Sequence, residues 1–161
     1  MPLVNSLAIF EPNAALSRED LRAAIDATLD FLLLEYGEMA GDSPEFQVEH
    51  HFQGGMYSRA CSYAANSYIA GRIHLEDHFF ILLEGELLVA DADEGVRRLS
   101  APAILPGAKG ARRLALTLSP IRGANIYAYS GEASPEAAKA ALTAATWAEF
   151  HQKRIGNEID I

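Results

Sequence analysis

A second cysteine is missing. Cys61 stands alone, so no intramolecular disulfide forms and a disulfide-stapled secreted scaffold is excluded. Positive charge is also scarce: 13 Lys and Arg face 22 Asp and Glu, a formal net charge of −9. Such a chain repels a phosphate backbone, which argues against nucleic-acid binding. The longest apolar run near the start, Phe31 to Leu34, is far short of the roughly 20 residues that cross a bilayer. No basic stretch followed by an apolar run opens the sequence, so a signal peptide is not expected. These absences predict a chain made in a reducing compartment, cytoplasmic on synthesis, with neither nucleic acid nor membrane as partner.

What is present points to a folded domain with appendages. Half of the 161 residues are hydrophobic, enough for a sizeable core. Ser17-Arg18-Glu19-Asp20 has the form of a helix start, with Ser17 placed to accept from first-turn N–H groups and two acids at the positive helix end. Leu21, Ala24, Ile25, Thr28, Phe31 and Leu32 recur at helical spacing, and Gly37 offers a stop, which predicts a helix over 18–36. Residues 37–45 combine two glycines, a proline and acids, which is linker chemistry. From Phe46 to Ser130 the period changes: short β-rich runs alternate with Gly, Pro and Asp/Asn breaks, as in a barrel or sandwich.

Strands are expected near 46–53, 56–64, 68–74, 78–84, 86–91, 96–100, 112–118 and 124–130. Glu84-Gly85 is expected to turn a hairpin, with a second turn at Asp93-Glu94-Gly95. Pro102, Pro106 and Pro120 lack the N–H of a central ladder and mark strand ends or loops. Ser134 as N-cap and Pro135 at the first helical position open a last helix over 135–153. Its Ala138, Ala141, Leu142 and Ala145 stripe suits close packing, against this chain or another subunit. The domain reading is therefore a helical extension and linker over 1–45, a β domain over 46–131, and a helix and tail over 132–161.

Chemistry concentrates in His74-Leu75-Glu76-Asp77-His78. On extended backbone His74, Glu76 and His78 share one side while Phe79, Ile81 and Leu83 share the other. Two imidazoles and a carboxylate suit a divalent transition metal, but such a site needs three or four donors from more than one strand. His50 or His51 is a third candidate, since parity lets only one of them face inward. Arg59, Arg72 and Arg112 either line a pocket for a carboxylate or phosphate, or pair with Glu76, Asp77 or Glu84. Trp147 and Phe150 form either an interface patch or intramolecular packing. Cys61, lacking an evident activating base, reads as a small packing residue.

The run from His78 to Leu83 followed by Glu84-Gly85-Glu86-Leu87 resembles the first motif of the cupin superfamily. Registered on Gly85, His78 stands where that motif has its glutamate, His74 where it has its second histidine, and Arg72 where it has its first. The second motif's proline loop corresponds to Pro106-Gly107-Ala108-Lys109-Gly110-Ala111-Arg112, where no histidine occurs. The chain is similar, more narrowly, to small cupin-like proteins of phages and prophages, through Met56-Tyr57-Ser58-Arg59, Gly71-Arg72-Ile73-His74 with His78, Leu99-Ser100-Ala101-Pro102, and Gly110-Ala111-Arg112-Arg113. The match spans about residues 56–130. It implies a mainly β, cupin-like jelly-roll barrel flanked by an N-terminal and a C-terminal α-helix.

With the ligand set reduced, the resemblance implies a non-catalytic structural or assembly module, virion- or tail-associated, without a cofactor, associating with itself or with other virion proteins. The alternative is a metal-dependent or small-molecule-binding cupin enzyme in which His74 and His78 hold a divalent transition metal.

Overall fold

The computed structural model describes residues 9–10, 16–38 and 41–159, with side chains to residue 155. Helix α1, Arg18–Tyr36, begins where the Asp20 N–H donates to the Ser17 hydroxyl at 3.1 Å. It ends at Gly37, whose φ of 65° turns the chain out of the helix while its N–H donates to the Leu33 carbonyl. Leu21, Ile25 and Leu29 form the buried stripe that the periodicity requires, and they pack on Ala90 and Leu114 of the β domain.

The strands follow as β1 Asp42–Ser43, β2 Phe46–Gln53, β3 Met56–Tyr63, β4 Tyr68–Ala70, β5 Ile73–His74, β6 His78–Glu84, β7 Glu86–Asp91, β8 Gly95–Ser100, β9 Ala103–Gly107, β10 Arg113–Thr117, β11 Ile121–Ala128 and β12 Thr143–Ala144. One antiparallel sheet runs β1-β2-β3-β11-β6-β9, a second runs β4-β10-β7-β8, and β5 pairs with β12. The chain crosses directly between the two large sheets after β3, β6, β8, β9 and β10 and returns from β4 to β6 by way of β5, which is the connectivity of a jelly roll. Their inner faces meet in one core of Leu82, Leu105 and Ile121 from the first sheet and Leu87, Val89 and Ala115 from the second. The ladders do not close on one another, so the expected barrel is an open two-sheet sandwich.

Four local expectations are corrected. The Glu84-Gly85 step is not a hairpin: β6 pairs with β11 and β9 whereas β7 pairs with β10 and β8, so the turn carries the chain from one sheet to the other. Gly85 is required there, because its φ is 86° and a Cβ would collide with the Pro120 carbonyl oxygen. Asp93-Glu94-Gly95, by contrast, closes the true hairpin between β7 and β8. Pro106 lies inside a strand, β9, which is tolerated because β9 is the edge of its sheet. The stretch read as linker contributes β1, which pairs with β2.

The fourth correction concerns the last helix. It is broken into α2, Pro135–Leu142, and α3, Trp147–Ile159, with β12 between them. Ser134 caps α2 by accepting from the Ala137 N–H at 3.1 Å, with Pro135 in the first turn. After Leu142 the backbone extends so that Thr143 pairs with His74 and Ala144 with Ile73. The Thr143 hydroxyl donates to the Lys139 carbonyl at 2.8 Å, satisfying an end group of α2, and accepts from Arg72 Nε at 2.7 Å. Helix α3 then restarts on a capping box: Thr146 Oγ1 accepts from the Glu149 N–H, and the Glu149 carboxylate accepts from the Ala145 N–H.

Candidate functional site

Sheet parity builds one polar, aromatic end inside the jelly roll. On β3 the inward side carries Tyr57, Arg59, Cys61 and Tyr63; opposite them β11 presents Tyr127, and β6 enters with His78. β5 is held in place by β12 and brings His74 alongside, so its ring stacks on His78 with centroids 3.8 Å apart and planes 23° off parallel. The Tyr127 hydroxyl pairs with His74 Nδ1 at 3.2 Å, and His78 Nδ1 donates to the Glu76 carbonyl at 3.1 Å. Tyr57 stacks on Tyr127, and its hydroxyl pairs with His50 Nδ1 at 2.6 Å. His51, of opposite parity, faces solvent beside Glu49. Glu76 is exposed as well, because residues 75–77 bend and interrupt the alternation on which its inward placement depended.

Burial sets the electrostatics of this cluster. It pushes the His74 pKa well below the usual imidazole value, helped by His78, Arg113 and Arg59; burial also lowers that of His78, again with Arg113 adding to the effect. Both rings are neutral near pH 7. Burial raises the Tyr127 and Tyr63 phenols, and it raises the Cys61 thiol even though Arg59 Nη1 donates to its sulfur at 3.0 Å. A thiol held protonated is a poor nucleophile, so Cys61 serves packing.

Neutral imidazoles are the form that binds metal, but their arrangement does not suit an ion. Lone pairs lie in the ring planes, so two nearly parallel stacked rings aim them side by side rather than at one point. His78 Nε2 is buried without a hydrogen-bond partner, yet it lies against Gly107, where even a Cβ would collide with the ring. His50 is engaged by Tyr57, and two arginines supply charge of the wrong sign. Among the described residues no three His, Cys, Asp or Glu side chains converge. The cluster reads as a buried hydrogen-bonded stack.

The remaining expected site residues disperse. Arg59 stays inside, close to the Phe46 ring. Arg72 turns outward to Glu38, which also receives Lys139, tying α2 to the residues after α1. Arg112 is buried and reaches the other way, donating to Asp26 at 2.8 Å and Asp30 at 3.1 Å on α1. The three guanidiniums therefore line no common pocket, and the partners of Arg72 and Arg112 are not Glu76, Asp77 or Glu84. Phe150 is buried, packed with Ile73, Leu75 and Ala144. Trp147 is half-buried, and its indole N–H donates to Asp26 at 3.1 Å. Of the two tyrosines that tie the imidazoles to the sheet, Tyr127 was not singled out in the sequence, and Tyr57 entered only as part of the Met56-Tyr57-Ser58-Arg59 motif, without a role in the site. Tyr57 shares parity with Arg59, which is the signal that could have found it.

No family model matches the chain, and no curated protein matches it. Among solved structures it is similar to a cupin superfamily protein of Desulfitobacterium hafniense, with 12% identity over 57% of this chain and 84% of that one and a TM-score of 0.49. It is similar to a conserved protein of unknown function from Streptococcus pyogenes, with 10% identity over 56% and 80% of the two chains and a TM-score of 0.47. A third likeness is to salicylate 1,2-dioxygenase of Pseudaminobacter salicylatoxidans, with 13% identity, 63% of this chain covered and a TM-score of 0.49; it involves only 31% of the dioxygenase. The strand order itself makes the chain a mainly β jelly roll with helices at its flanks.

Proposed function

We propose that this chain is a non-catalytic jelly-roll module that acts by association, pairing with a second copy of itself through the outer face of its six-stranded sheet. The observation that carries this reading is the composition of that face. Phe79 and Leu83 on β6, Ile104 on β9 and Met56 on β3 are 52%, 50%, 66% and 54% exposed. Together they leave about 400 Å² of apolar surface bare, within the range of the largest patches on monomers, which are often functional. That is about half of what one partner contributes to a standard interface, and Ile81, Pro106 and Ile126 on the same face supply more.

Charge complements the argument. The segments Phe79–Leu83, Ala103–Gly107 and Gly123–Ala128 hold no charged residue in a chain of net charge −9. Two copies related by a two-fold axis therefore meet there without the repulsion they would feel elsewhere. Pro106 in the edge strand opposes strand addition, which favours face-to-face packing. The phage-like motifs extend the reading to a virion- or tail-associated component. The enzymatic alternative, a metal or small molecule held by His74 and His78, is disfavoured by the stacked rings and the dispersed arginines.

Sedimentation velocity tests the proposal. The wild type is expected to be dimeric at tens of micromolar, and a Leu83→Lys, Ile104→Lys double variant monomeric, with association weakened at least about a hundredfold. Its melting temperature as a monomer should be unchanged, since both positions are exposed. A wild type that stays monomeric at several hundred micromolar overturns the reading.

A further inference from the structure

We infer that the groove between α1, the β7–β8 turn and α3 is a binding site for a small aromatic phosphate monoester. The site is independent of the association face: it lies on the side of the molecule where α1 covers the second sheet. It is an open groove of about 460 Å³ lined by Arg22, Lys109, Arg154, His151, Trp147 and Phe150 together with Asp26 and Asp93. That volume falls within the usual range for small-molecule sites and is far larger than a bare phosphate needs.

The charge in this groove is opposite to that of the chain. Its two acids are already engaged, Asp26 by Arg112 and the Trp147 indole, Asp93 by Arg18. Its cations are not: Arg22 and Arg154 have no ion-pair partner among the described residues, and Lys109 reaches Glu76 only at 4.0 Å. Three positive side chains facing one groove on a chain of net charge −9 form a local anion trap.

The aromatic residues define the rest of the ligand. The Arg22 guanidinium lies 4.5 Å from the Trp147 ring centroid and that of Arg154 5.5 Å from Phe150. Stacking occupies the face of a guanidinium and restricts its motion while leaving its in-plane N–H donors available, the arrangement that receives two phosphate oxygens at once. Phe150 forms the buried floor, and the half-buried Trp147 with the exposed His151 offers ring surface against which a flat body packs. A phosphate held by Arg22, Arg154 and Lys109 with an aromatic ring beside Trp147 uses every one of these features; a free anion uses only half of them.

Trp147 is the only tryptophan, so its fluorescence reports on the groove directly. Titrating the full chain at low salt with phenyl phosphate is expected to give a saturable change with a midpoint below about 1 mM, and inorganic phosphate a midpoint at least about tenfold higher. In a Lys109→Ser, Arg154→Ser double variant, exposed positions that leave the core untouched, phenyl phosphate should bind at least about tenfold more weakly at an unchanged melting temperature. A response that does not saturate, an unchanged midpoint in that variant, or equal affinity for inorganic phosphate would each overturn the assignment.

Discussion

Replacing Arg112 with Ala is expected to cost about 3 kcal/mol of stability, the lower end of the range for breaking a buried ion pair. The side chain is only 6% exposed and joins two carboxylates one helical turn apart, so it anchors α1 to the strand that begins at Arg113. The loss stays at the low end because Asp30 is 66% exposed and rehydrates once freed. Asp26 is the more demanding partner, since it also receives the Trp147 indole. Arg112→Met should lose less than Arg112→Ala, because it keeps the packing of the aliphatic stem without a buried cation whose Nε has no partner. Asp30→Ala should cost under about 1 kcal/mol. Urea unfolding with an unchanged m-value measures all three; a loss below 1 kcal/mol for Arg112→Ala would mean that α1 is held by its apolar stripe alone.

Acidification is the second large effect. The His74 and His78 pKa values are lowered in the fold, while in the unfolded chain both imidazoles titrate near 6.5. Below that pH the unfolded state binds more protons than the folded one, so stability is fully present above 6.5 and is lost as the pH falls toward the folded values. Between pH 7.5 and 5.5 each ring can remove up to about 1.4 kcal/mol, and the pair up to about 2.7. The paired carboxylates Glu38, Glu86 and Glu149 have lowered values, so their stabilisation is present across this pH range and is lost only as the pH falls through and below the ordinary carboxylate range, which keeps the two effects apart. Denaturation at pH 7.5 and 5.5 should therefore show a steep slope in the wild type and a shallow one in a His74→Asn, His78→Asn variant. Equal slopes would show that the rings are not buried as a neutral stack.

Local signals read well from this sequence, and long-range pairings did not. Helix α1 was legible to the residue because Ser17, the acids after it and Gly37 act within one or two turns. The Gly85 turn was legible as a turn, but a glycine does not say which sheet receives the next strand; that depends on β6 meeting β11 some 40 residues later. β9 was missed because Pro106 argues against a strand everywhere except at an edge, and the edge is a property of the finished sheet. The break after Leu142 arises from Thr143 pairing with His74 across the fold, although the Thr146-x-x-Glu149 box announcing a new helix was present in the sequence.

The candidate site divides in the same way. Alternation placed His78 inside and Phe79 and Leu83 outside, since both statements concern one strand. It misplaced Glu76, which sits on a bend, and had no means of choosing between a pocket and ion pairs for three arginines, of which Arg72 and Arg112 find their partners on α1 and just after it while Arg59 stays inside against Cys61. The exposed apolar face was half visible in the Phe79, Ile81, Leu83 parity. Its other half comes from β9, the strand that was not foreseen.

The claim on which the account turns is that the two imidazoles belong to the packed interior and leave the chain to act through its surface. Titration of untagged protein with Zn²⁺, Mn²⁺, Ni²⁺ and Fe²⁺ by calorimetry tests it most directly. No ion is expected to bind at this site with a dissociation constant tighter than about 100 μM. One ion per chain, bound tightly and lost in His74→Ala, would contradict it.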